Sequence, residues 1–305
     1  MKNSTIKVLP YFELLRPHHW IKNILVFIPI LLDTSQYFNI SLIANTILGF
    51  ICFSLLSSCI YIFNDIRDIE KDRLHIKKCL RPLPSGKLSV SNAKTTLIVL
   101  LLFLTVLLVI LGLSENIMFN INSISILLLY ALLNVAYSLK LKNIPIVDVT
   151  ILASGYVIRV LFGAMIIGVE VSVWLYLFMT MGAYFLGFGK RRNEMIENEK
   201  ETREVMRFYT HNFLDKNMYV CMTLCMVFYA LWSIDSATIE RYNTTIFIYT
   251  VPFVFVILLK YSLNVESNTE GDPTSIILND KILLSLCAIY IACIFSIIYL
   301  DRAVV

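Results

Sequence analysis

The chain has 305 residues, of which 58 % are hydrophobic and only 16 % charged, and its mean hydropathy is +0.74. That composition lies outside the range of water-soluble domains of this length and excludes an ordinary cytosolic enzyme. The formal net charge of +4 suits anionic ligands and membrane orientation; no nucleic-acid-binding motif accompanies it, so no nucleic acid partner is expected.

Crossing about 30 Å of hydrocarbon takes about 20 helical residues. Residues 1–11 are polar and no small-residue cleavage site follows, so the first apolar run is expected to stay as a span. That run, 20–38, is the weakest candidate. "WIKNILVFIPILL" opens with Trp20 and Lys22, as an interface requires, but Asp33, Thr34, Ser35 and Gln36 interrupt it. Stronger stretches follow at 40–63, 95–113, 117–137, 144–169, 171–189, 218–234, 244–263 and 282–300. The expectation is an all-α, polytopic membrane protein of nine spans. Neither a low-complexity linker nor a second composition intervenes, which predicts one integral-membrane domain over 1–305.

Lys and Arg alternate between connections. Residues 1–23, 64–94, 138–146, 190–217 and 260–281 hold 23 of the 26, while 114–116 and 168–170 hold none. The positive-inside rule then predicts a cytoplasmic N-terminus and long loops, with the C-terminus outside. Six of the seven cysteines fall within predicted spans and none forms C-x-x-C, so disulfides and zinc are not expected.

The first large loop carries the densest chemistry. In "YIFNDIRDIEKDRLH", Asn64, Asp65, Asp68 and Asp72 form N-D-x-x-D-x-x-x-D. At about 100° per residue the three aspartates share an arc of about 60°, while Glu70 points away. Clustered carboxylates repel unless a cation lies among them, and an oxygen-only set favours Mg²⁺ bound with substrate phosphates. Arg67, Lys71, Arg73, Lys77, Lys78 and Arg81 are suited to phosphate oxygens or lipid headgroups, although for the lysines alone a solvated loop obeying the positive-inside rule is the better account.

Asp148 opens the helix of 144–169, and Arg159, eleven residues on, returns to the same stripe about 16 Å deeper, with Leu152 and Gly155 between. An arginine at that depth is a functional hypothesis by default, its alternative being a structural ion pair. Tyr137, Lys140 and Lys142 read as ligands or as interface anchors. Lys190, Arg191 and Glu194 read as an exposed ion cluster or as a further cationic wall. No Ser-His-Asp or Cys-His arrangement is visible, and His18, His19, His75 and His211 read as interface or solvent residues.

Asn64–Asp72 followed by "RPLPSG", together with "LLRPHHWIKNILVFIPILL", "AYSLKLKNIPIVDV", "GYVIRVLFGA", "GKRRNE" and "EGDPTSIILNDK", resembles the UbiA-type superfamily of intramembrane prenyltransferases. Within it the similarity is to the branch that transfers phosphoribosyl groups to polyprenyl phosphates. The resemblance implies helices around a central cavity open to the cytoplasmic side of the plasma membrane. It also implies Mg²⁺-dependent transfer from phosphoribosyl pyrophosphate to a polyprenyl phosphate, a step toward lipid-linked pentose for cell-envelope polymers. Carried onto this chain, Asp65, Asp68, Asp72 and Asp148 are the candidate catalytic carboxylates, and the first three the candidate metal ligands. Asn64, Lys22, Arg73, Arg81, Tyr137, Lys142, Arg159, Lys190 and Arg191 are the candidate substrate ligands. Homo-oligomerisation stays open. Ordinary prenyltransferases carry a second D-x-x-x-D motif, whereas here Asp148 is followed four residues on by Leu152. A true prenyltransferase acting on an aromatic acceptor is the alternative that the missing acid disfavours. A transporter or lipid-binding protein would leave the aspartate motif idle.

Overall fold

The computed structural model describes residues 8–33, 39–75, 77–113, 121–196, 204–267 and 272–299. All regular structure within them is helical. Apart from short 3-10 turns, these are in chain order α1 (Val8–Leu15), a 3-10 segment (Pro17–Phe27), α2 (Ile28–Leu32), α3 (Ile40–Arg67), α4 (Ile69–Arg73), α5 (Val90–Leu113), α6 (Ile121–Leu139), α7 (Val147–Ile167), α8 (Val173–Ile196), α9 (His211–Ile234), α10 (Ser236–Tyr242), α11 (Val251–Ser267), α12 (Pro273–Asn279) and α13 (Lys281–Tyr299).

Among the described residues seven helices are long and apolar enough to cross a membrane: α3, α5, α6, α7, α9, α11 with the 3-10 turn before it (Ile246–Thr250), and α13. They correspond to seven of the predicted stretches. All but the first two residues of the stretch 171–189 lie in α8, 24 residues long, whose glycines, tyrosines and closing "KRRNE" dilute its hydropathy. The stretch 20–38 is not one regular helix. It runs as the 3-10 segment and five-residue α2 up to Asp33, and 34–38 lie outside the described residues, as do 114–120 and the end of the chain from 300.

The broken N-terminal piece is held by polar anchors. Trp20 Nε1 donates to Ser58 Oγ at 3.0 Å, Asn23 Nδ2 to Ser54 Oγ at 3.0 Å, and Ser58 Oγ to the Leu15 carbonyl at 2.8 Å. The segment lies so close to α7 that a Cβ on Gly163 would stand 2.1 Å from the Val26 carbonyl oxygen. Only glycine admits that approach, and backbone cannot swing aside as a side chain can. Gly163→Ala is therefore expected to lower stability by about 1–3 kcal/mol, read as a fall in melting temperature of the solubilised protein. Gly112→Ala, which meets nothing within 4 Å, is the control; an equal melting temperature for both would refute the close-packing account.

α3 and α7 form the buried centre, while α5 and α13 leave most of their apolar surface uncovered. Phe103, Leu102, Ile282 and Ile291 are each more than half exposed, which is tolerable only against lipid. The protein is an integral membrane protein. Its interior contains a cavity bounded by the 3-10 segment, α3, α6, α7, α8 and the start of α12.

Candidate active site

The cavity has two joined parts. An inner chamber of about 190 Å³ is lined by Arg159, Tyr130, Leu152, Gly155 and Tyr156 among others. A mouth of about 370 Å³ is lined by Asp68, Asp72, Arg81, Lys142 and Asp272 among others. Lys22, Tyr61, Asn64, Tyr137 and Lys190 line both.

At the mouth, α3 ends at Arg67 and the chain bends through Asp68, at φ −94° and ψ 11°, into α4. The three aspartates are consequently not equivalent. Asp65, almost fully buried, receives Arg16 Nη2 at 2.5 Å and Arg81 Nη1 at 3.4 Å. The same Arg81 nitrogen reaches Asp72 at 2.6 Å. Asp68 is held instead by Lys142 Nζ, at 2.6 and 3.0 Å. Arg16 occupies the left-handed region, φ 52°, uncommon for a residue with a Cβ. The chain turns there, between α1 and the 3-10 segment, and the turned residue's guanidinium lies on Asp65.

The donor set is chemically suited to Mg²⁺. It consists of oxygens, and one cationic nitrogen already sits between Asp65 and Asp72. Among the described residues no three acidic, histidine or cysteine side chains make a ready-formed metal cage. Such a site suits an ion held by one or two carboxylates together with water and the phosphates of its substrate.

The inner chamber ends on Arg159. Its Nε donates to Asn23 Oδ1 at 2.8 Å, its Nη2 to Tyr130 Oη at 3.0 Å, and its Nη1 to the Gly155 carbonyl. The guanidinium lies over the Phe53 and Tyr130 rings, 5.0 and 5.1 Å from their centroids. Among the described residues no carboxylate pairs with it. Asn23 is thus shared between Ser54 of α3 and Arg159 of α7, so the broken N-terminal segment orients the deepest cation. Lys22 pairs with Asp272 at 2.6 Å. Burial and the charges of Lys22, His18 and Arg16 pull His19 down to about 3, so its imidazole contributes no charge to a mouth already rich in cations.

Four of the predicted ligands line neither part of the cavity, and Asp65, buried and held by Arg16 and Arg81, is the first of them. Arg73 pairs with Glu70 at 2.9 Å on an exposed turn and lines neither part of the cavity. Asp148 and Arg191 are both completely buried, 2.6 Å apart. Asp148 accepts from Tyr209 Oη at 2.5 Å, and Arg191 also binds Glu194 and donates to Tyr137 Oη at 2.9 Å. Each oxygen of Asp148 accepts one hydrogen bond within this network, and neither Asp148 nor Arg191 lines the cavity. The cluster of Arg191 and Glu194 is buried, not exposed as one sequence reading had it. Burial and the adjoining Asp148 push the Tyr209 phenol upward, which keeps it a donor. It also accepts from the Ile146 amide at 2.7 Å, bracing a residue at φ 70° where β-branching makes that conformation costly. Tyr137 joins this network to the cavity wall.

The sequence reading did not single out Arg16, Asn23, Tyr130 or Asp272. Arg16, Asn23 and Asp272 lie in or beside quoted family segments, but nothing local marks them as partners of residues far away in the chain.

A bundle of apolar helices thus encloses a cavity with carboxylates at its mouth and, at its inner end, Arg159, which pairs with no carboxylate among the described residues. The UbiA prenyltransferase family profile matches residues 23–299, and the chain belongs to that family of enzymes. The chain is 30 % identical to decaprenyl-phosphate phosphoribosyltransferase of Corynebacterium glutamicum, over 94 % of this chain and 86 % of that one. It is 28 % identical to the Mycobacterium tuberculosis protein of the same name, over 91 % and 90 %. Its fold is similar to that of a UbiA homologue from Archaeoglobus fulgidus bound to GPP and Mg²⁺, with a TM-score of 0.69 and 20 % identity, covering 95 % of this chain and 99 % of that one.

Proposed function

We propose that the protein transfers the 5-phosphoribosyl group of phosphoribosyl pyrophosphate to a polyprenyl phosphate, as a single nine-span domain of the plasma membrane with its cavity mouth toward the cytoplasm. The product would feed lipid-linked pentose into cell-envelope polymers. One observation carries the choice of donor. Arg159 stands at the bottom of the chamber with no acid among the described residues to balance it, on the stripe where ordinary prenyltransferases place a second aspartate and this chain has Leu152. Such a chamber suits one phosphate more than a lone diphosphate brings, and the curated relatives act in the same sense.

The nucleophile is a phosphate oxygen of the lipid. It attacks C1 of the ribose, the bond from C1 to the diphosphate oxygen breaks, and pyrophosphate departs with the electron pair; no proton moves. Asp65 and Asp72, with Asp68 and Asn64 beside them, would hold Mg²⁺, which when bound neutralises the departing diphosphate. Arg81 and Lys142 keep these carboxylates apart and oriented. Lys22 and Lys190 face both parts of the cavity and supply fixed positive charge along the path between them. Arg159 takes the 5-phosphate, and Phe53 and Tyr130 keep its guanidinium in place.

Membranes containing the protein are expected to incorporate label from radiolabelled phosphoribosyl pyrophosphate into lipid when given polyprenyl phosphate and Mg²⁺. EDTA should stop incorporation and Mg²⁺ restore it, and Asp65→Asn should abolish it in folded protein. Failure to label lipid, with consumption of an isoprenoid diphosphate in its place, would establish prenyl transfer as the activity.

A further inference from the structure

Asp272 belongs neither to the Asn64–Asp72 motif nor to the Arg191 network, yet it stands at the junction of the two parts of the cavity. Its own side chain lines the mouth, the adjacent Pro273 lines the inner chamber, and its partner Lys22 lines both. Oδ1 accepts from Lys22 Nζ at 2.6 Å and Oδ2 accepts from Thr274 Oγ1 at 2.7 Å. A carboxylate oxygen has two acceptor positions, so each retains one. Burial alone would push Asp272 upward, but Lys22, Lys190 and the two hydrogen bonds outweigh it and hold the group at about 2. It is therefore an ionised acceptor, fixed in place and a quarter exposed toward the cavity.

A negative charge is a poor lining for a pocket that has only phosphates to bind. Its presence beside Lys22, where the mouth meets the chamber, calls for a ligand group that donates hydrogen bonds. Neither a polyprenyl phosphate nor, as the competing donor, an isoprenoid diphosphate has such a group apart from a protonated phosphate. Phosphoribosyl pyrophosphate has two, the vicinal 2- and 3-hydroxyls of its ribose, and a carboxylate is well matched to a ribose diol, as acidic residues in dinucleotide-binding folds illustrate. We propose that Asp272 is a specificity-determining residue which accepts hydrogen bonds from the ribose hydroxyls, so that the site selects a sugar donor over an isoprenoid one. This rests on the phosphoribosyl reading above. Lys22 and Thr274 act as positioning residues that fix the carboxylate.

The experiment is steady-state kinetics on the purified full-length protein with phosphoribosyl pyrophosphate and its 2-deoxy and 3-deoxy analogues, and with pyrophosphate as an inhibitor that carries phosphates and no hydroxyls. In the wild type, loss of a hydroxyl read by Asp272 should lower kcat/KM by about 10- to 100-fold, as expected for one hydrogen bond to a charged group. Asp272→Ala should lose a similar factor with the full donor and should no longer distinguish it from the deoxy analogue. Pyrophosphate inhibition should hold or tighten, because Lys22 and Lys190 remain. If the alanine variant does not fold, Asp272→Asn, of the same shape, carries the comparison, with a smaller loss of discrimination. Equal use of all three donors by the wild type would overturn the proposal without any variant. So would a folded variant that still discriminates, or one in which pyrophosphate inhibition weakens in parallel with donor use, since Asp272 would then merely hold Lys22. If the wild type does not use phosphoribosyl pyrophosphate at all, the phosphoribosyl reading itself falls and takes this inference with it, a result distinct from use without discrimination.

Discussion

Arg191→Met is expected to prevent accumulation of folded protein, a larger effect than any loss of a surface charge would produce. The Arg191 side chain is fully buried and binds Asp148, Glu194 and Tyr137. Removing it strands two carboxylates in the interior, where breaking a buried pair costs about 3–5 kcal/mol, a large part of the about 5–15 kcal/mol that separates folded from unfolded states in ordinary domains. Arg191→Lys should fare little better, because one ammonium cannot reproduce three contacts made by a planar fork. Asp148→Asn in the Arg191→Met background should recover part of the loss by removing one of the stranded charges. The measurement is the fraction of monodisperse protein after solubilisation and its melting temperature. A fully stable Arg191→Met protein lacking transfer activity would return Arg191 to the substrate, as the sequence reading placed it.

That reversal shows what periodicity conveys. Asp148 and Arg159 do share a stripe of α7, as their spacing required, but the stripe faces two environments along its length. Near Asp148 it meets Arg191 of α8 and Tyr209 of the following loop; near Arg159 it meets the chamber. Helical spacing states which residues point together and says nothing about what they point at, which is decided by packing between elements distant in sequence. The same limit applies at the mouth. A regular helix would align Asp65, Asp68 and Asp72, and the bend at Asp68 diverts the middle residue to Lys142. Apolar length, by contrast, is a property of the segment itself, so the spanning helices were legible, including their approximate ends. The exceptions have local causes. Pro29 and the polar anchors Trp20 and Asn23 go with a broken course over 17–32, and the aromatic and glycine content of α8 lowers its hydropathy. Lys22 and Asp272 are 250 positions apart, and no local pattern in either segment announces the other.

Arg159→Ala is expected to lose about 30- to 1000-fold in catalytic efficiency while remaining folded, which corresponds to removal of a charge-assisted contact worth about 2–4 kcal/mol in a buried site. Folding should survive this change as it does not survive Arg191→Met. Arg159 is bound by neutral groups, Asn23, Tyr130 and the Gly155 carbonyl, so among the described residues its removal strands no opposite charge, and it relieves the interior of a cation that no described acid balances. The cost to folding is confined to hydrogen bonds and to contact with the Phe53 and Tyr130 rings. A cation retained at that depth without an acid suits an anion supplied from outside, and the 5-phosphate of the donor is the group that fits the proposed reaction. The defect should therefore appear chiefly as a raised KM for phosphoribosyl pyrophosphate, with the KM for the polyprenyl phosphate little changed. Arg159→Lys should restore the charge and little of the activity, because a lysine ammonium cannot stack on Phe53, donate to both Asn23 and Tyr130, and still present a fork to phosphate. Varying each substrate in turn on purified protein separates the cases. If Arg159→Ala fails to fold, the arginine is a structural tie between the 3-10 segment and α7; if it folds and turns over at the wild-type rate, the phosphate lies elsewhere in the cavity. A KM that rises for the lipid and not for the sugar donor would place the lipid phosphate on Arg159 and reverse the order in which the two substrates occupy chamber and mouth.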